Sequence, residues 1–239
     1  MNRYLSFCRL LVFASIATAS MAAPKEDQLI LKVKELYEPA FPVTVLARGV
    51  TTGRAEVVVG IDPDGRAVDN LVVAYTQPEF ARSALEVLKN SAFVPIQING
   101  EPAAIRARIK FTFDAQGVVI SLSAMEGAMV WVDRVFGERT TSKIGRLAEL
   151  DQAPSTTHTV QPRYPADLAK QKISGKATFD FFVDENGKVR LPARVRSDHD
   201  EFAEASVDAL MEWQFTPLTR RGQPVIVQMR QEFVFNPKS

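Results

Sequence analysis

The feature that most constrains this chain is a displacement of 122 residues that carries one half onto the other. It maps Gly53 onto Gly175, Asp62 and Gly65 onto Asp184 and Gly187, Phe80-Ala81 onto Phe202-Ala203, and Phe111 and Phe113 onto Phe233 and Phe235. Within it SAFVPIQINGEP (91–102) returns as WQFTPLTRRGQP (213–224), so the pattern F-x-P-x-x-x-x-G-x-P occurs twice. A unit of that length far exceeds a solenoid repeat, and each copy is expected to fold around its own core. The 239 residues are 46% hydrophobic and 24% charged, which suits two small globular domains.

Inside each copy the hydrophobic period changes along the chain. KATFDFFVDENGKVRLPARVRS (176–197) alternates in character about Asn186-Gly187, and RAEVVVGIDPDGRAVDNLVVAY (54–75) does the same about Asp64-Gly65. Alternation marks half-buried strands and the glycine supplies a positive φ, so both read as antiparallel hairpins. A helix follows each. Phe202, Ala205, Ala209 and Trp213 form an apolar stripe behind the acidic cluster Asp198–Glu201, which suits a helix N-terminus, and Phe80, Ala84, Val87 and Leu88 form its counterpart. Phe93 and Phe215 then return the chain to the core, Pro95 and Pro217 end the helix, and Gly100 and Gly222 turn into a last strand. The fold class is therefore α+β, with two small domains. Each is an antiparallel sheet of about three strands with a helix packed on one face, in the order β-β-α-β.

Between the copies, residues 117–123 read as a short strand. Ser123-Ala-Met-Glu126 then reads as a capping box opening an amphipathic helix over 124–136, with Met125, Met129, Val132, Val135 and Phe136 on its apolar face. Residues 137–160 are polar and turn-prone and are expected to be a linker. The expected organisation is a signal peptide over 1–22, a first domain over 23–136 with an extra strand and helix, the linker over 137–160, and a second domain over 161–239.

The signal peptide is read from Arg3 and Arg9, the apolar run Leu10–Ala19 and the small-x-small site Ser20-Met21-Ala22, with cleavage after Ala22. The run is short for a bilayer span, so an exported, periplasmic protein is expected rather than an anchored one. Removing residues 1–22 leaves 27 basic against 28 acidic side chains, a balance that gives no long-range attraction for nucleic acid. The single cysteine, Cys8, lies inside the signal, so neither a disulfide nor thiol chemistry is expected.

Residues 150–239 resemble the C-terminal domain of the TonB family of energy transducers. The resemblance is carried by Gln161-Pro162-x-Tyr164-Pro165, Gly175 before a strand, Asp184-x-x-Gly187, the helix ending Trp213-x-Phe215-x-Pro217, Gly222-x-Pro224 and a closing apolar strand. Copy one matches more loosely, with Glu38-Pro39-Ala40-Phe41-Pro42 standing, at a displacement of 123, where Gln161–Pro165 stands in copy two. The resemblance implies a periplasmic domain that takes up an extended peptide of an outer-membrane receptor, or of another envelope protein, as an added strand at its sheet edge. It implies a partner-binding set of Gln161, Pro162, Tyr164 and Pro165 together with Gln228, Arg230 and Glu232 on the edge strand 225–235. The chain departs from an energy transducer in having a cleavable-looking leader and no long Pro-rich spacer, which weighs against engagement of an inner-membrane proton complex. The alternative is a structural or cell-wall-associated envelope protein that uses the domains as interaction modules, pairing into a homodimer through sheet edges.

No enzymatic chemistry, cofactor or metal is expected. His158 and His199 have no ligand-spaced companion, and the acids of the turns 62–65 and 184–187 lack the flanking positions of a calcium loop. Serines lack a nucleophile motif, and Asp198 and Asp200 are read as helix-capping acids rather than an acid-base pair.

Overall fold

The computed structural model describes residues 31–98, 100–125 and 140–237. The expected signal peptide and residues 126–136 of the expected helix lie outside them. In the first half, β1 (Thr52–Ile61), β2 (Ala67–Tyr75), α1 (Pro78–Leu88), β3 (Ile105–Asp114) and β4 (Gly117–Met125) follow one another. After two short strands, β5 (Thr141–Ser142) and β6 (Ile144–Gly145), the second half repeats the plan. It runs through β7 (Gly175–Val183), β8 (Val189–Ser197), α2 (Asp200–Met211) and β9 (Ile226–Phe235).

The three-stranded antiparallel units are present as β3-β1-β2 and β9-β7-β8, and both are extended. The first sheet has five strands in the order β4-β3-β1-β2-β5, and the second has four in the order β6-β9-β7-β8. Helix α1 buries Phe80, Ala81, Ala84 and Leu88 against one face of the first sheet, and α2 buries Phe202, Ala203, Ala209 and Leu210 against the second. Opposite the helix, β1 and β3 place Val57, Val59, Ile109, Phe111 and Phe113 in the same core, and β7 and β9 do so with Phe179, Phe181, Val227, Phe233 and Phe235. Alternation thus puts one face of the long strands β1, β3, β7 and β9 in a helix-covered core, as the period-two pattern requires.

The repeated motif is explained by one backbone contact. At each hairpin turn the glycine takes a positive φ, 85° at Gly65 and 79° at Gly187. Its N–H closes a four-residue turn onto the carbonyl of Asp62 or Asp184, and its own carbonyl accepts the N–H of Phe93 or Phe215 at 2.8 Å in both copies. A Cβ at Gly65 would lie 2.1 Å from the Phe93 oxygen, and at Gly187 2.0 Å from the Phe215 oxygen, so Asp-x-x-Gly and F-x-P are two sides of one joint. The acids serve that turn: Asp184 Oδ1 accepts the N–H groups of Asn186 and Lys188 at 2.9 and 3.0 Å, and Asp62 accepts that of Arg66 at 2.8 Å.

Three local expectations need correction. Strand β4 runs to Met125, and Ser123 pairs with Arg108 inside it, so Ser123 does not cap a helix at 124. Ladder pairing with β3 along its whole length outweighs the local capping signal. Asp198 does not cap α2 either: His199 is the N-cap, and the Asp198 carboxylate accepts the Lys176 N–H at 2.8 Å, tying β7 to the helix entrance, while Asp200 and Glu201 fill the first turn. The segment read as a linker over 137–160 contains three short paired strands among its described residues. β5 adds to β2 of the first sheet, β6 adds to β9 of the second in parallel, and Thr156–His158 pairs with Gln214–Phe215.

Through β5 and β6 the chain crosses between sheets whose uncovered faces meet. Val58, Leu71 and Val73 of the first half, Ile144 of the crossing and Phe182, Leu191 and Ile226 of the second form one buried cluster. The layers therefore run helix, sheet, sheet, helix. At Leu191 the β7–β8 register shifts between Asp180 and Phe182 and the backbone turns to φ 52°, which drives this side chain out of its own sheet and against Gly60. Arg106 is buried beside it, stacked 5.7 Å over the Phe182 ring and donating to the Leu191 carbonyl at 3.4 Å. Burial pushes the Arg106 guanidinium below its ordinary range, and the neighbouring Asp180 carboxylate opposes that shift. At the rim Arg190 pairs with Asp69 across the interface and with Asp184 of its own half.

Candidate functional site

Strand β9 is the element from which a site can be built, because its outer side is only partly used. β6 pairs with it at Ile226 and Val227 alone, so among the described residues the outer side from Gln228 to Phe235 has no partner strand. Ile226 turns its N–H outward to the Lys143 carbonyl at 2.7 Å. The β7–β9 register is continuous from Gly175↔Phe235 to Val183↔Val227. By alternation, Gln228, Arg230, Glu232 and Val234 turn their N–H and C=O groups to that same open side. Three of these are the edge residues expected from the sequence. Their side chains lie across the strand from the helix, and the two charged ones are engaged within the sheet. Arg230 holds Asp180 through two bonds of 2.6 and 2.9 Å, which raises the guanidinium pKa, and Glu232 pairs with Lys176 at 2.8 Å. What the edge offers is main chain.

The segment before β7 divides into two roles. Tyr164 packs edge-on against Phe202 and Phe235 at 5.7 and 5.8 Å and donates its hydroxyl to the Ile173 carbonyl, and Pro165 leads into the short helix Ala166–Lys170. Pro162 is half-buried. Gln161 differs: its side chain is exposed and hydrogen-bonds to no described residue. Just before it, Val160 accepts the indole N–H of Trp213 at 2.8 Å, which holds this entrance segment against the end of the helix.

In copy one the counterpart of β9, strand β3, is not at the edge of its sheet. Strand β4 pairs with β3 from Asp114↔Gly117 to Arg106↔Met125, covering the positions that become Gln228–Asn236 under the displacement. Glu38, which stands where Gln161 stands, accepts the N–H of Val118 in β4 at 3.1 Å. The core positions respond. Ala107 and Ile109 are fully buried in β3, whereas their counterparts Met229 and Gln231 in β9 are half-buried. The strand at 117–123 was legible in the sequence; its pairing with β3 was not extracted, although Asp114-Ala-Gln-Gly117 is a turn signal between two apolar runs.

The family model described as the Gram-negative bacterial TonB protein C-terminal matches residues 37–115 and again 160–237. The chain belongs to this family. The two matched regions coincide with the two copies, so TonB C-terminal units occur here in tandem, and the family is one of envelope protein–protein interaction domains. Among solved structures, the chain is similar to the solution NMR structure of the Pseudomonas aeruginosa TonB CTD. That match has 22% identity and a TM-score of 0.35, over 40% of this chain and 95% of that one. None of the curated proteins matches the chain.

A cleft of about 900 Å3 between the halves is lined by Tyr75, Lys143, Glu149, Glu185 and Arg220 among others. Both of its carboxylates are already paired, Glu185 with Lys143 at 2.6 Å and Glu149 with Arg220 at 3.1 Å. Neither histidine stands in a polar cluster: His158 is exposed on its short strand, and His199 packs on the Phe202 ring at 5.4 Å. No helix among the described residues is long and apolar enough to cross a membrane.

Proposed function

We propose that this tandem TonB-family chain is an exported periplasmic protein whose second copy binds an extended segment of an outer-membrane receptor, or of another envelope protein, as an added strand on β9. The observation that carries this reading is the asymmetry of the edges: β9 turns unpaired main-chain groups outward from Gln228, while its counterpart β3 is covered by β4. Strand addition draws its affinity from main-chain hydrogen bonds and asks little of individual side chains, which suits an edge whose charged side chains are committed elsewhere. No catalytic role is assigned to any residue. A role in TonB-dependent transport fits the family. The crossing strands and the buried contact between the halves favour a compact receptor-binding body over a long force-transmitting rod.

The test uses the full chain titrated with peptides from the N-terminal segments of outer-membrane receptors, followed by amide NMR. Saturable shifts should centre on Gln228–Phe235. Val234→Pro removes one outward N–H without touching the ladder to β7, and should abolish binding while the protein stays folded. Undiminished binding by that variant would exclude the edge.

A further inference from the structure

The two sheets end in edges that are guarded unequally, and the least guarded belongs to copy one. We propose that β4 is a self-association surface. A second copy of this chain adds its own β4 there, antiparallel and about a two-fold axis at Leu122, so that the two first sheets become one. The pairing uses neither β9 nor Gln161 and stands apart from the reading of β9 as a peptide-binding edge.

The other edges carry features that keep sheets from pairing with one another. Along β2, main-chain carbonyls are already taken: that of Asn70 accepts Arg190, that of Val73 accepts the Lys143 N–H at 2.9 Å, and β5 pairs with Ala74 and Tyr75. Strand β8 has Pro192, which lacks an N–H, the positive φ at Leu191, and the exposed Arg194 and Arg196. On β9, β6 closes Ile226 and Val227, and the open stretch carries Arg230 and Glu232. Strand β4 has none of these. Its nine residues pair with β3 without a register shift, include neither proline nor a charged side chain, and among the described residues meet no strand on the outer side. A long, regular, uncharged edge is the form that pairs with another chain. β4 also lies outside both regions that the family model matches, so this edge is an addition to the repeat.

Direction and register follow from the strand itself. Alternation turns the N–H and C=O groups of Val118, Ile120, Leu122 and Ala124 away from β3. The Val118 N–H is closed by the Glu38 carboxylate at 3.1 Å, which leaves the other three. They are symmetric about Leu122. An identical antiparallel strand sets Leu122 opposite its own copy and Ile120 opposite Ala124, with about six main-chain hydrogen bonds. Centring the pair on Ile120 would call on the Val118 N–H, and centring it on Ala124 would run past Met125, where the strand ends. A two-fold axis normal to the sheet keeps both helix-covered faces on one side. Ile120 and Leu122, half-buried at the rim of the first core, then gain aliphatic neighbours across the new ladder. A charged partner strand would have its side chains desolvated at that rim, whereas β4 offers itself an uncharged one.

The experiment uses the full chain with Cys8→Ser and Val119→Cys, since Val119 lies on the other face and is 66% exposed. A nitroxide on the new cysteine reports the label-to-label distance by dipolar spectroscopy, and sedimentation equilibrium of the parent and labelled chains reports self-association. The expected result is a dimer in which the two 119 positions lie about 20 Å apart, six residue rises of about 3.4 Å. Ala124→Pro removes an N–H turned away from β3 and should raise the dimer dissociation constant at least about tenfold, because the two-fold axis applies the loss twice. Its thermal melt should match the parent's; should it fail to melt cooperatively, the distance decides alone. A separation of about 34 Å would move the axis to Ala124 and overturn the register. A dimer that Ala124→Pro leaves as tight as the parent would overturn β4 as the interface. A monomer at every concentration would overturn self-association, and slow amide exchange at Ile120 and Leu122 in that monomer would assign the cover of this edge to residues 126–139 of the same chain.

Discussion

The two copies share a hairpin joint, a helix and a closing strand, yet differ wherever they meet something other than themselves. At the edge, copy one has Ile109 and a covering strand where copy two has Gln231 and an open side. On the uncovered faces, Gly60 and Asp69 of copy one correspond under the displacement to Phe182 and Leu191 of copy two, and it is these that face one another. A Cβ at Gly60 would lie 2.7 Å from Leu191 Cδ2, so a small residue in one copy makes room for a large one in the other. A duplicated sheet packs against itself only once the faces have become unequal, and keeps an open edge only where no strand of its own fills it.

The largest expected difference comes from the same change made in both copies. Thr112→Pro deletes an N–H that the repeat turns toward β4, breaking the ladder and uncovering the first core, and should cost on the order of 3 kcal/mol. Val234→Pro deletes the equivalent N–H on the open edge and should lie within about 1 kcal/mol of the parent, because that group has no strand to lose. Urea unfolding of the two variants reads this directly. Equal destabilisation would mean that β9 is already covered in solution, and the contrast between copies would vanish.

A smaller effect separates the faces from the edges. Leu191→Ala should destabilise by about 2 to 5 kcal/mol, the range for a buried leucine, even though Leu191 belongs to neither helix-covered core. Val195→Ala on the same strand, 45% exposed, should change stability by less than about 0.5 kcal/mol. If Leu191→Ala proved as mild as Val195→Ala, the halves would not be locked through their sheets. The same contact bears on dissection of the chain: a fragment of the second half alone would expose Phe182, Leu191 and Ile226 to water.

Elements defined by their own neighbours were legible in the sequence. Alternation, Asp-x-x-Gly and the stripe through Phe202 and Ala209 place both hairpins and both helices, because each depends on residues only a few positions apart. Contacts between distant segments were not. Nothing in LPARV signals that Leu191 will leave its sheet, since the side chain packs where Gly60 and Leu71, 131 and 120 residues earlier, make room for it. Asp198 reads as a cap by proximity, but the Lys176 N–H competes for it across the sheet. For the candidate edge, the residue types Gln228, Arg230 and Glu232 were informative only as positions, since their role lies in outward main chain while Arg230 and Glu232 are committed to Asp180 and Lys176.

The smallest expected effect concerns the pair at the entrance of each copy. Glu38 satisfies one N–H of β4 at an exposed site, so Glu38→Ala should cost copy one no more than about 0.5 to 1.5 kcal/mol and should leave peptide binding to β9 unchanged. Gln161 has no side-chain bond to a described residue, so Gln161→Ala should leave stability unchanged and weaken peptide binding by about 2-fold to 13-fold, the equivalent of one neutral hydrogen bond. Gln161→Glu restores the acceptor found at Glu38 and should recover most of that loss. Calorimetric titration of the three variants, each paired with a thermal melt, distinguishes an acceptor held ready for a ligand from a residue that only shapes the entrance. In the latter case Gln161→Ala would shift the melt, or leave the affinity where it was, and the equivalence between Glu38 and Gln161 would be one of position without function.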